Sequence, residues 1–225
     1  MSDSRTETQQ RNVWKTVGLL ILVMTVIMGL FVNRWLTPTP ISDAKLYTMG
    51  AKVFDVPRRF EQVSLLDQNG EVFDYQRFQN TWSLVFFGFT FCPDICPATL
   101  AQMRTMVNTL EPELLDSTQI VLASVDPARD TPEKLKEYLN YFSSDFVGLT
   151  GEFLALQRFA SQLNAAFQKV PGGGDDYQID HSAQIMLINP KGDYHGFIKP
   201  PFTPEKIAEA YLGVRNNFEL KYPDE

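Results

Sequence analysis

The segment WSLVFFGFTFCPDICPATL, residues 82–100, joins a predicted buried strand to a predicted helix. Residues 82–89 form a continuous apolar run of strand length, which is typical of a strand covered on both faces of a sheet. A helix is predicted from Pro97 to Leu110, because a first helical turn tolerates a proline that lacks the N–H. Cys92 and Cys96 fall between the two elements. Ligand sites in α/β sheets lie beyond the carboxyl ends of strands, so this position suits chemistry.

The rest of the chain after the N-terminal region alternates strands and helices. Asn69-Gly70, between two apolar stretches, predicts an early hairpin. Further strands are predicted at 119–126 and 184–190, and further helices at 131–142, at 151–167 and from 203 to about 218. This order predicts an α/β domain with a central sheet and helices on its faces. The hairpin favours a mixed rather than a fully parallel sheet.

The N-terminal region contains a segment that is apolar on every face. Thr16–Asn33 is an uncharged run of 18 residues with a basic residue at each end. That length is near the lower limit for crossing a hydrocarbon core of about 30 Å. Trp14 and Trp35 occupy the places of an interfacial aromatic belt. We therefore predict one transmembrane helix at 16–36.

A buried core helix and a cleaved signal peptide are the alternatives to an anchor. The run is longer than a usual signal h-region, and no A-x-A pattern follows it. Asp3 and Glu7 argue against a mitochondrial transit peptide. Three basic residues precede the segment and two follow closely, which favours a cytoplasmic N-terminus. We expect a single-pass protein of the bacterial inner membrane, with 1–15 in the cytoplasm, a linker at 37–54 and the domain of 55–225 in the periplasm.

Composition excludes several classes of protein. The 225 residues include 20 Lys+Arg and 27 Asp+Glu, a net charge of -7. This acidic balance disfavours a nucleic-acid binder, which would carry a basic stripe. Two cysteines are too few for a disulfide-rich scaffold or for a zinc site built from cysteine alone. His181 and His195 are the two histidines, so few cysteine–histidine sites are possible.

The spacing of Cys92 and Cys96 is weak evidence by itself, and its place between strand and helix strengthens it. A helix N-terminus favours the thiolate form of a nearby cysteine. Two ordinary thiols, or a structural disulfide in the periplasm, are the alternatives. A bridge across only three residues would contribute comparatively little stability, so redox cycling or metal binding is favoured.

The two histidines differ in their sequence surroundings. His181 directly precedes the predicted strand 184–190, whereas the cysteines follow a strand. The residues alone leave open whether His181 reaches the cysteines. His195 lies in a predicted strand or hairpin, and we interpret it as a surface or core residue with its hydrogen bonds satisfied.

Four blocks of sequence, in this order, resemble the Sco/SenC family of copper-binding assembly factors for cytochrome c oxidase. The blocks are GFTFCPDICPATL (88–100), SVDPARDTPEKLKEY (124–138), GLTG (148–151) and DHSAQIMLINPKG (180–192). The resemblance covers about residues 55–218 and implies a thioredoxin-like fold behind an N-terminal membrane anchor. One departure is Met186, where we expect the family to carry an aromatic residue; we interpret the methionine as a core substitution.

The resemblance implies a metal site. It assigns one copper ion per chain, as Cu(I) or Cu(II), to Cys92, Cys96 and His181. It also places Asp126 and Asp130 near that site, in positioning or partner recognition. Thiolates are soft and select Cu(I), while imidazole suits both oxidation states. Three ligands leave a coordination position open for handing copper to another protein.

The function that the resemblance implies is that of a periplasmic copper chaperone. It would deliver copper to the CuA site of cytochrome c oxidase subunit II, and the same cysteines could reduce the thiols of that target. Another periplasmic copper carrier or thiol reductant is a further expected partner, and no nucleic acid is expected. A periplasmic thiol–disulfide oxidoreductase and a copper or redox sensor are the alternatives. The sequence leaves open whether the protein is an enzyme.

Overall fold

The computed structural model describes residues 3–36, 39–61, 63–172 and 174–223. The chain divides into two compact units between residues 40 and 41. The first contains one helix, α1 (Asp3–Leu36). Its stretch Gln10–Trp35 is long and apolar enough to cross a membrane, and its large apolar side chains are exposed. An apolar surface on every side of a helix suits a lipid environment.

The second unit is built on strands. Within the described residues there are ten: β1 (Ala51–Arg58), β2 (Leu65–Asp67), β3 (Val72–Phe73), β4 (Trp82–Gly88), β5 (Thr118–Ser124), β6 (Val147–Thr150), β7 (Phe167–Lys169), β8 (Ile179–His181), β9 (Ile185–Ile188) and β10 (Tyr194–Ile198). Eight of them form one sheet in the order β1-β10-β9-β4-β5-β6-β2-β3, and β7 and β8 form a separate antiparallel pair. The sheet is mixed, as predicted, because β4 runs parallel to β5 and antiparallel to β9.

Helices and short 3-10 turns connect these strands. The helices of the second unit are α2 (Asp43–Thr48), α3 (Ile95–Val107), α4 (Pro112–Asp116), α5 (Pro132–Asn140), α6 (Phe153–Gln162) and α7 (Pro204–Lys221). Helices α5 and α7 begin in the same way. The hydroxyls of Thr131 and Thr203 accept hydrogen bonds from the N–H groups of Lys134 and Lys206, and a proline follows each threonine. These caps satisfy amides that have no partner inside the helix.

The hydrophobic core lies on both faces of β4. All seven residues of this strand are buried, as its largely apolar sequence predicts. It pairs with β5 from Trp82 opposite Thr118 to Gly88 opposite Ser124. Helices α3 and α7 pack together. The loop that leaves the carboxyl end of β4 therefore starts from a fully buried and paired strand.

Several helix boundaries differ from the predicted ones, and the start of α3 and the end of α6 differ with a clear physical reason. Helix α3 begins at Ile95 rather than Pro97, which places Cys96 inside its first turn. Pro97 is tolerated there because the first amides of a helix have no intrahelical acceptor. Helix α6 ends at Gln162 rather than near 167, and Asn164 then takes a left-handed conformation with φ of 54°. That conformation stops helical hydrogen bonding.

The second unit begins at residue 41, so most of the predicted linker, 37–54, belongs to it. Helix α2 and the first residues of β1 lie within that range. The N–H of Ile41 donates to Oδ1 of Asn217 and the Nδ2 of Asn217 donates to the carbonyl of Ile41, both at 2.7 Å. Leu46 is buried beside Gly213 of α7. The segment after residue 40 is therefore packed against the C-terminal helix.

Candidate metal centre

The two cysteines lie at the carboxyl end of β4, where the loop enters α3. The N–H of Cys92 donates to the carbonyl of Phe89 at 3.2 Å, and the N–H of Cys96 donates to Sγ of Cys92 at 3.3 Å. The Cys92 sulfur thus faces the first turn of the helix. Cys92 is 8% exposed, whereas Cys96 is fully buried. Neither cysteine forms a disulfide in this structure.

His181 reaches the cysteines from a different part of the chain. It ends β8, in the separate two-stranded pair, opposite Phe167 of β7. Its Nε2 lies 3.5 Å from Sγ of Cys96. The ligand atoms of Cys92, Cys96 and His181 all lie within 4.8 Å of one another, and the three side chains can form a metal site. The structure therefore brings together all three predicted ligands.

Hydrogen bonding orients the imidazole of His181. Its Nδ1 lies 3.2 Å from the carbonyl oxygen of Ser182, which can only accept a hydrogen bond. Nδ1 therefore carries a proton, and Nε2 is the ring nitrogen that faces the sulfurs. The rings of Phe86 and Phe89 meet the imidazole edge to face, with centroids at 5.7 and 6.0 Å. These contacts set the tautomer and the ring plane that a metal ligand needs.

The side chains of the two cysteines have opposite pKa shifts. A hydrogen bond from the Cys96 thiol, with smaller help from His181 and the backbone, lowers the pKa of Cys92 to about 4 despite partial burial. The adjacent Cys92 thiolate, together with burial, raises the pKa of Cys96. At neutral pH the pair holds one thiolate and one thiol. Cys96 must release its proton before it can serve as a thiolate ligand.

Asp130 forms hydrogen bonds with the start of the cysteine loop. Its carboxylate accepts hydrogen bonds from the N–H of Thr90 at 3.1 Å, from the hydroxyl of Thr90 at 2.6 Å and from the hydroxyl of Ser124 at 2.7 Å. Burial raises the pKa of this carboxyl, against the effect of those hydrogen bonds. Thr90 precedes Cys92 by two residues, so Asp130 fixes the start of the loop. The expectation that Asp130 lies near the site agrees with this position.

Gly88 is a residue of the site that the sequence reasoning did not single out. It ends β4, and a Cβ at this position would lie 3.0 Å from Sγ of Cys96 and 3.1 Å from side-chain carbons of Leu122 and Phe86. Such a contact is closer than real Cβ atoms normally allow, so a larger residue would displace the sulfur. The sequence did contain a signal for this role: a glycine lies within the apolar run shortly before the two cysteines.

His195 and Met186 lie away from the ligand atoms. His195 is buried in β10, where its Nδ1 accepts a hydrogen bond from the amide of Asn189 at 3.2 Å. Burial, with a smaller effect of the charge on Lys221, lowers its pKa to about 4. Met186 is fully buried in β9, consistent with a core substitution. The interpretation of His195 as a core residue with satisfied hydrogen bonds is consistent with these contacts.

Comparison with known proteins supports one family. The family model described as SCO1/SenC matches residues 55–214. A protein of Stutzerimonas stutzeri, named as a candidate copper-binding protein, is 41% identical over 182 residues. That match covers 80% of this chain and 89% of the relative.

Solved structures show the same architecture. Yeast Sco1 with copper bound has a TM-score of 0.67 and 28% identity, over 75% of this chain and 96% of its own. BsSco, described as a member of the Sco family of cytochrome c oxidase assembly proteins, shares the fold with a TM-score of 0.55 and 23% identity, over 72% of this chain and 98% of its own. The mixed sheet flanked by helices matches these thioredoxin-like structures, so the predicted fold class is confirmed.

Proposed function

The chain belongs to the SCO1/SenC family, and on that premise we propose that it is a membrane-anchored copper chaperone with Cys92, Cys96 and His181 as its ligands. The observation that carries the proposal is the convergence of two sulfurs and one imidazole nitrogen within 4.8 Å. Two segments that are distant in sequence, the cysteine loop and the end of β8, meet at this point.

The two sulfurs and the imidazole suit a copper ion that is passed on to another protein rather than held permanently. Two thiolates suit Cu(I), and a neutral imidazole suits both Cu(I) and Cu(II). Three donors leave room for a ligand from an acceptor protein, unlike a closed four-ligand zinc site. Cys92 is the more accessible sulfur of the pair. We therefore assign it to the side from which an acceptor approaches.

The proposed acceptor is the CuA site of cytochrome c oxidase subunit II. A solved Sco relative is described as a cytochrome c oxidase assembly protein, and another contains bound copper. A further periplasmic copper carrier would supply the metal. The N-terminal helix, with its stretch Gln10–Trp35, would keep the protein in the membrane plane of the acceptor and raise its effective concentration there.

We place the second unit on the periplasmic side of a bacterial inner membrane. Support comes from the three basic residues that precede the apolar segment. A reporter enzyme that is active only after export, fused after Glu225, should be active. The full-length protein should also retain its N-terminal segment. Trimming near residue 40 would refute the single-pass anchor.

Thiol–disulfide exchange is a second candidate function, favoured by the unequal pKa values of the cysteines. The Cys92 thiolate would attack a sulfur of the target's disulfide, and the released target thiolate would take up a proton. Cys96, after losing its proton, would then attack Sγ of Cys92 and release the second target thiolate. The protein would end as a disulfide and the target as a dithiol, with two electrons transferred. A thiol reductant would be needed to restore the protein.

Anaerobic titration with Cu(I) tests the leading proposal. Full-length reduced protein in detergent should bind one copper per chain in competition with a chromophoric Cu(I) chelator. A purified, reduced CuA domain should then acquire that copper. The control is the double variant Cys92→Ala, Cys96→Ala, which should bind no copper tightly. Rapid reduction of an oxidised CuA domain by a protein that does not bind copper would favour the oxidoreductase instead.

A further inference from the structure

The backbone that carries His181 is not hydrogen-bonded to the main sheet as a strand. Among the strands that the structure describes, β7 and β8 pair only with each other. Their hydrogen bonds include those between Ala166 and Ser182, at 2.9 and 3.0 Å. These bonds hold the two strands together but do not attach them to the cysteine loop. Phe86, Phe89 and the carbonyl of Ser182 contact the imidazole itself, and further contacts are needed to hold the backbone of β8 beside the cysteine loop.

Arg129 makes several contacts with the chain just before β8. Its Nη2 donates to the carbonyl of Tyr177 at 3.0 Å, and its Cζ lies 3.7 Å from the centroid of the Tyr177 ring. Its Nε donates to the carboxylate of Asp126. The same carboxylate accepts the hydroxyl of Tyr177 at 2.6 Å. Tyr177 is therefore held at its carbonyl, its ring and its hydroxyl, four residues before His181.

The same guanidinium also contacts the cysteine loop. Its Cζ lies 4.6 Å from the ring centroid of Phe91, which directly precedes Cys92, and 5.9 Å from that of Phe89. The side chains of Arg129 and Asp126 are only 14% and 3% exposed. Charge-assisted hydrogen bonds and cation–π contacts gain strength when they are shielded from water. One side chain thus connects the two parts of the chain that carry the ligands.

We propose that Arg129 is a positioning residue that keeps His181 beside Cys92 and Cys96. It acts through Tyr177 and determines whether an imidazole joins the two sulfurs at the metal. The inference rests on the proposed copper function, to which it adds a residue that controls the third ligand. A lysine could retain the charge beside Asp126. It could not reproduce the planar stack on Tyr177 together with two directed N–H groups.

Hydrogen exchange of the metal-free, full-length protein in detergent tests the positioning role directly. The reporters are the amides of Val170 and Ser182, which donate across the β7–β8 region. Arg129→Ala should speed their exchange by about tenfold or more, because shielded charged contacts are lost. Arg129→Lys keeps a charge beside the buried carboxylate, which protects the fold, and should give a smaller increase. Arg158→Ala, at an exposed position on α6, is the matched control and should have no effect.

The copper-loaded form gives the second readout. Nitrogen hyperfine coupling in the Cu(II) electron paramagnetic resonance spectrum reports an imidazole ligand. Wild type and Arg158→Ala should show this coupling, and Arg129→Ala should lose most of it while Cu(I) binding through the two sulfurs persists. Unchanged exchange or unchanged nitrogen coupling in Arg129→Ala would overturn the positioning role. Failure of the wild type to bind copper would instead overturn the proposed function, so the two failures are distinguishable.

Discussion

The two histidines lie at opposite ends of β4 and make similar aromatic contacts. His181 meets Phe86 and Phe89 at 5.7 and 6.0 Å, while His195 meets Trp82 and Phe218 at 5.4 and 5.5 Å. In each case the rings meet edge to face. Aromatic packing therefore does not distinguish a ligand from a core residue.

Hydrogen bonding does distinguish them. Nδ1 of His181 faces a carbonyl that can only accept, which leaves Nε2 available 3.5 Å from a sulfur. Nδ1 of His195 instead accepts a hydrogen bond from the amide of Asn189. That nitrogen is already used within the core. The comparison shows that the partner of one ring nitrogen decides what the other can do.

The largest expected effect is the loss of Cu(I) affinity when either cysteine is replaced. Cys92→Ala or Cys96→Ala should each abolish tight Cu(I) binding, because the chain has only these two cysteines. Competition with a Cu(I) chelator measures the loss. The control is His195→Gln, which should bind copper as the wild type does. Wild-type affinity in either cysteine variant would contradict the metal assignment.

The next effect separates the two histidines by copper oxidation state. His181→Ala should lose the thiolate-to-Cu(II) absorption band, because Cu(II) prefers nitrogen or oxygen donors beside the sulfurs. It should still bind Cu(I), since two thiolates suffice for low coordination. His195→Gln should change neither property. If His195 rather than His181 controls the band, the two ends of β4 have been assigned the wrong roles.

A smaller effect tests the packing beneath the cysteines. Gly88→Ala would place a Cβ 3.0 Å from Sγ of Cys96. Overpacking of this kind costs about 1–3 kcal/mol of unfolding free energy, and here it should also weaken Cu(I) binding by displacing a ligand. Gly148→Ala is the matched control, because its Cβ would meet Leu139 and Leu135 instead. It should lower stability in urea denaturation while Cu(I) affinity stays unchanged, and equal affinity losses would argue against a specific role for Gly88.

The smallest effect concerns His195 and pH. The folded protein keeps this imidazole neutral down to about pH 4, whereas the unfolded chain protonates it near its ordinary pKa of 6.5. Its contribution to stability is therefore complete above pH 6.5 and is lost as the pH falls from 6.5 toward 4. Between pH 7.5 and pH 5 the loss should be about 2 kcal/mol. Urea denaturation at the two pH values measures it, and His195→Gln should lack this share of the pH dependence.

The fold around β4 could be predicted because its signals are local. An apolar run, two prolines and the cysteines identify a strand, a turn and a helix within 19 residues. The predicted linker, 37–54, included the first four residues of strand β1, whose sequence AKVFDVPR contains charges and Pro57 and shows no clear strand pattern. Proline is tolerated there because β1 is an edge strand. Strand β6 has only four residues, too few to show a pattern.

The candidate site was less predictable than the fold, because its third ligand depends on contacts between distant segments. The sequence before a strand does not indicate that β8 leaves the main sheet and pairs with β7. Nor does it show that Arg129 and Asp126 contact Tyr177. The resemblance to a family assigned His181, and the structure supplies the geometry that local reasoning could not.

The hydrogen bonds between Ile41 and Asn217 would have a mechanical consequence in the proposed membrane-anchored protein. Edge strand β1 begins ten residues after Ile41. A force applied directly to β1 would break its backbone hydrogen bonds to β10 one after another. With Ile41 fixed on α7, the pull is transmitted first to an 18-residue helix that packs on α3. Two bonds must then break together before any strand is loaded. A pull on the N-terminus of an anchored protein would therefore reach the helical layer before the strands of the sheet.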